Sequence, residues 1–94
     1  MSKTIWKFPI PLHQLDDVVS VEMPQGARAL DAREQHGQLC IWALVDPGAE
    51  KVSRQFMIVG TGHQRRDLGD AVYLGAAHLQ GGSLVFHVFE PASR

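Results

Sequence analysis

The sequence predicts an all-β fold: a small, mostly antiparallel sandwich or partly open barrel of about seven short strands, with room for one short helix. Three observations carry this. Two Gly-centred turns, Gln35-His36-Gly37-Gln38 and Gln80-Gly81-Gly82-Ser83, each sit between two runs that read as strands: 27–34 and 39–45 for the first, 72–79 and 84–89 for the second. A two-residue loop that needs φ > 0 takes Gly at little steric cost, and its twist matches that of the flanking strands. Apolar residues alternate over several short runs, as in Leu84, Phe86 and Val88 against Val85, His87 and Phe89. Turn residues punctuate the chain roughly every 8–12 residues, the spacing of a small sandwich or barrel.

Residues 4–8 alternate, with Thr4, Trp6 and Phe8 on one face and Ile5 and Lys7 on the other. Pro9 and Pro11 end this run, since each removes a donor and restricts the residue before it. Residues 13–17 are polar and read as a connection or one short helical turn. Val19, Val21 and Met23 then share a face, and Pro24-Gln25-Gly26 turns the chain. Residues 27–34 are a weak strand by propensity, with Leu30 and Ala32 assigned to one face. Pairing across His36-Gly37 supports it. Leu39-Cys40-Ile41-Trp42-Ala43-Leu44-Val45 is apolar on both faces, the pattern of a central strand covered on both sides. Asp46-Pro47-Gly48 closes it. In 52–59, Phe56 and Ile58 oppose Met57 and Val59. Residues 60–70 form the longest polar segment. Residues 71–79 suit a strand or a short helix, and the turn leading into residue 84 favours the strand, with Tyr73, Ala77 and Leu79 on one face. The expected core is Val19, Val21, Leu30, Leu39, Ile41, Ala43, Phe56, Ile58, Leu84, Phe86 and Val88, with Trp42 and Leu44 covered on the second face of the central strand.

The bulk numbers bound the function. Ninety-four residues are the length of one domain, 1–94. Hydrophobic residues make up 45% and charged residues 20%, enough for one core. A net charge of −1 argues against non-specific nucleic-acid binding and against an electrostatic membrane anchor. No apolar run approaches the ~20 residues of a membrane span, and the first residues show no apolar signal segment. The single cysteine, Cys40, forms no internal disulfide, so the expected compartment is the reducing cytoplasm.

No catalytic constellation stands out, so no residue is nominated as catalytic and no cofactor is expected. Cys40 lies in the most apolar run, where a thiol stays protonated. The five histidines lack a close metal-ligand spacing. His78 and His87 nevertheless fall on paired strands of one hairpin, diagonal to each other on one face, and a third ligand such as His63 would complete a metal set. The loop Gly60-Thr61-Gly62-His63-Gln64-Arg65-Arg66-Asp67 is the best binding candidate. Thr61, His63, Arg65 and Arg66 offer donors suited to a phosphate or carboxylate. It lacks the Gly-Lys-Ser/Thr ending of a phosphate loop and the third Gly of a dinucleotide fingerprint. Trp6, near the start, is the aromatic residue nominated for an interface.

Several motifs resemble an uncharacterised family of small phage and prophage proteins. They are Ile5-Trp6-Lys7-Phe8, Met23-Pro24-Gln25-Gly26-Ala27, Ile41-Trp42-Ala43-Leu44-Val45-Asp46-Pro47, Gly60-Thr61-Gly62-His63, Tyr73-Leu74-Gly75 and Val85-Phe86-His87-Val88-Phe89. They run in order over nearly the whole chain. The resemblance implies a bacterial or phage cytoplasmic origin and a domain of unknown function, and it carries no site residue.

The expected function is a non-enzymatic binding or interaction module of phage or prophage type, contacting an unknown protein or a small anionic ligand through the 60–67 loop. Edge strands of a small open sheet invite pairing, so a homo-oligomer fits this reading. The alternatives are a small metal-dependent hydrolase using His63, His78 and His87, and a structural component of a virion.

Overall fold

The computed structural model describes residues 2–92. Seven strands form a single sheet: β1 (Thr4–Ile10), β2 (Val18–Pro24), β3 (Arg28–Gln35), β4 (Gln38–Val45), β5 (Lys51–Gly60), β6 (Val72–Leu79) and β7 (Leu84–Glu90). Two short 3-10 turns, Leu12–Gln14 and Gln80–Gly82, are the helical elements. The strand order is β1-β4-β3-β6-β7-β5-β2, and the sheet curls until it nearly closes into a barrel. β1 and β2 are its two edges. Every neighbouring pair is antiparallel except β3 and β6, which run parallel and meet at the single pair Ala32–Gly75.

Both hairpins have the expected register. Gln35 pairs with Gln38 across His36-Gly37. These two residues take φ of 54° and 79°, positive at both central positions as a type I′ turn demands. The Glu34 carboxylate accepts from the Gly37 N–H at 2.7 Å and fastens the turn. In the second hairpin Leu79 pairs with Leu84 and His78 with Val85. Residues 72–79 are therefore strand, and the helical turns lie at 12–14 and 80–82.

The interior follows the pairing register. Leu39, Ile41, Ala43 and Val45 of β4 face inward with Ala32 of β3, Phe56 and Ile58 of β5, Ala77 and Leu79 of β6 and Val88 of β7. Val19 and Met23 of β2 complete this core, and Val21 and Phe86 pack against it half-buried. At one end Arg54 of β5 points along the same inward parity. Its guanidinium binds the Glu90 carboxylate through Nε and Nη2 and donates through Nη1 to the Ala27 carbonyl at 2.7 Å.

The structure corrects several expectations. Leu30 is 40% exposed rather than core, because a bulge between Ala29 and Asp31 inserts an extra residue and inverts the alternation. A matching bulge between Tyr73 and Gly75 turns Tyr73 outward, while Ala77 and Leu79 face in. Leu84, at 37% exposure, sits where β7 leaves its turn and is only partly covered. Trp42 and Leu44 are half-buried on the outer face of β4 rather than covered, since the seven strands form one sheet that nearly closes on itself and not two packed layers. β1 also continues through Pro9 to Ile10. An edge strand tolerates the missing donor. Trp6, nominated for an interface, shares the inward parity of Ala43 and packs against the core, its ring 6.4 Å from that of Phe8.

Candidate functional site

The chain leaves β5 at Gly60 and crosses to β6 through loop 61–71. Its first turn is held by Thr61 N–H to Val85 O at 3.3 Å and His63 N–H to Gly60 O at 3.0 Å. The His63 ring lies directly over Gly60, where an added Cβ would stand 3.0 Å from ring atoms. Arg65 fixes the middle of the loop. Its Nε and Nη2 grip both oxygens of Asp67 at 2.9 and 2.7 Å, and Nη1 donates to the backbone carbonyls of Asp17 and Ile58. Each partner favours the other's charged form: the hydrogen bond to Asp67 raises the Arg65 pKa, and the bond from Arg65 holds the Asp67 carboxyl below the ordinary aspartate range. The Arg65 donors nominated for a ligand are thus engaged within the protein. Arg66 beside it is exposed and makes no ion pair or side-chain hydrogen bond among the described residues.

Thr61 meets the outer face of β7. Its Oγ1 lies 2.8 Å from His87 Nε2, and the Tyr73 hydroxyl lies 3.0 Å from His87 Nδ1. Tyr73 also packs edge-on to Phe89 at 5.1 Å. A neutral imidazole donates through one nitrogen and accepts through the other, so the chain Thr61–His87–Tyr73 has a direction set by the tautomer. When Tyr73 donates to Nδ1, His87 donates to Thr61, and the Thr61 hydroxyl hydrogen is left for a ligand. Strand pairing explains the meeting. β7 lies between β5 and β6, so a loop leaving β5 starts beside β7, and His87 pairs with both Val59 and Ala76.

His78 stands on the same outer face, opposite Val85 and diagonal to His87, and is exposed. The structure does not gather His63, His78 and His87 into a ligand set: among the described residues no group of three His, Cys, Asp or Glu side chains is placed to hold a metal ion. His87 spends both ring nitrogens on Thr61 and Tyr73. Burial pushes the Cys40 thiol pKa up, in keeping with its place in the apolar strand.

A family model matches the chain over residues 1–94. The chain belongs to the DUF7352 family. That family is described as a domain of unknown function. No curated protein and no solved structure matches the chain.

In this DUF7352 domain a small cleft of about 230 Å³ opens beneath His63, floored by Leu15, Ile58 and Phe86 and rimmed by Asp16 and Asp17. The two carboxylates give that side of the loop the wrong sign for an anion. The solvent side, with Thr61, His63 and Arg66, is the side that suits one. Sequence reading missed Tyr73, His87 as the partner of Thr61, and the anchoring task of Arg65. The Thr61–His87 contact depends on β7 lying beside β5, and the Arg65 anchor on β2 lying beside β5, neither of which a local pattern reports. No helix among the described residues is long and apolar enough to cross a membrane.

Proposed function

We propose that this DUF7352 domain is a non-enzymatic binding module of bacterial prophage type that takes a small anionic ligand on loop 61–66, through Thr61, His63 and Arg66. The observation that carries it is the way the loop is fastened. Arg65 ties it to two backbone carbonyls, and His87 orients Thr61 from behind. A loop so held loses little freedom on binding, and its neighbours Arg66 and His63 stay turned to solvent. The prophage assignment is supported by the ordered motifs from Ile5 to Phe89, and a reducing, cytoplasmic setting by the lone buried Cys40.

Calorimetric titration with inorganic phosphate, pyrophosphate and ATP tests the reading. At least one of them binds, and Arg66→Ala weakens it by about tenfold, the worth of one charged hydrogen bond at a solvated site. His63→Ala weakens it further, while Arg28→Ala, on the exposed side of β3, has no effect. Equal affinity in the wild type and the Arg66 and His63 variants, or no binding by any of the three anions, would reject the site.

A further inference from the structure

The barrel is left open at one seam. β1 and β2 are the two sheet edges, and no ladder joins them. Between them runs a groove of about 640 Å³. It is lined by the five consecutive residues from Val18 to Glu22, by Pro9 and Ile10 at the end of β1, and by His13 to Asp16 of the connection between the two strands. Successive residues of a strand point to opposite faces, so a groove that touches five in a row lies along the strand's edge, beside its backbone.

The register says which backbone groups face it. Ile58 N–H donates to Asp17 O, which makes Asp17–Ile58 a hydrogen-bonded pair of the β2–β5 ladder. Pairs alternate, so Val19, Val21 and Met23 bond to β5, whereas Val18, Ser20 and Glu22 turn their N–H and C=O groups away from it. Those three residues present a ready template at two-residue spacing.

Charge selects the occupant. Asp16 and Glu22 flank the β2 part of the lining, and apart from His13 no basic residue lines the groove. A second copy of this chain fits poorly, because two-fold pairing of β2 about Ser20 would bring Glu22 within diagonal reach of the copy's Asp16. We infer that the seam between β1 and β2 is a docking site for an extended, basic segment of another protein, which adds to the free edge of β2 as a further strand. The backbone supplies the affinity and the acidic ends select Lys or Arg at alternate positions.

Amide hydrogen exchange on the full chain tests this with two blocked hexapeptides, one alternating lysine with valine and one alternating glutamate with valine. The lysine peptide slows exchange at Val18, Ser20 and Glu22 by about tenfold or more, and leaves Val19, Val21 and Met23 as protected as before. The glutamate peptide does not. Ser20→Pro removes a free-edge N–H without touching the β5 ladder and abolishes the protection. Glu22→Lys keeps the backbone and shifts preference towards the glutamate peptide, a readout that survives should the proline variant fail to fold. The inference is overturned if the lysine peptide protects no β2 amide. It is equally overturned if both peptides bind alike, or if the free protein already protects these amides as a dimer.

Discussion

Gly75 stands where two backbones come closest. A Cβ built there would lie 2.3 Å from the Ala32 carbonyl oxygen, and its φ of 156° lies outside the usual range for a side-chain-bearing residue. β3 and β6 share only this contact in their ladder, so neither strand gives way without parting the sheet. Gly75→Ala should therefore cost about 2–4 kcal/mol in urea unfolding, and a loss below about 1 kcal/mol would show that β3 shifts to make room. The contrast with Gly37 shows what sequence reveals at this scale. The need for Gly37 is local, set by the two-residue turn, and legible in His36-Gly37 between two strands. The need for Gly75 comes from Ala32, far away in the chain and adjacent only once β3 and β6 meet. Thr61 and His87 illustrate the same limit: each was readable as a polar residue, but not as a hydrogen-bonded pair.

Among the elements, loop 61–71 is the one most dependent on charge. The Arg65–Asp67 pair holds in place the guanidinium that ties the loop to the Asp17 and Ile58 carbonyls, and the Arg65 side chain is only 14% exposed. The Asp67 carboxyl is depressed in the folded state, first by the Arg65 hydrogen bond. A depressed carboxyl contributes stability that is complete above its unfolded value and fades as pH falls through its folded value. Loop fastening should then be constant near neutrality and weaken only under strong acid, below the ordinary aspartate range. Loop amides in a pH titration by NMR would show this loosening before global unfolding. Asp67→Asn should move the onset to pH-independence, and a loop whose amides ignore acid would remove the pair as its clasp. The strands were legible because each is bounded by turn residues and four of them form two pairs joined by short loops. The bulges at Leu30 and Leu74 were not, since an inserted residue leaves no mark on composition and shows itself only as a reversed face. Pro9 misled for a related reason: a proline stops a central strand but not an edge, and which strand is an edge is a property of the whole sheet.

At the scale of the molecule, the barrel end is closed by Arg54, Glu90 and the Ala27 carbonyl. The Arg54 and Glu90 side chains are 23% and 19% exposed, sheltered enough for the loss of one to leave the other poorly solvated. Arg54→Met should destabilise by about 2–3 kcal/mol, less than a fully buried pair would lose, and Glu90→Gln by less, because the amide oxygen still accepts. Chemical denaturation of both variants checks the order, and the reverse order would mean that the carboxylate rather than the guanidinium holds the end. The strand order itself lay beyond the sequence. Only β3–β4 and β6–β7 pair across short turns; the β1–β4, β2–β5, β5–β7 and β3–β6 pairings are long-range and are decided by collective burial. That order places β1 and β2, neighbours in the chain, at opposite margins of the sheet. Remove residues 4–24 and the remaining strands, β4-β3-β6-β7-β5, are still an unbroken sheet. Both margins belong to one ribbon, pivoting on the connection at 11–17, and they leave together. Two molecules that traded strands would exchange this ribbon as a unit, each lending the other both sides of its opening.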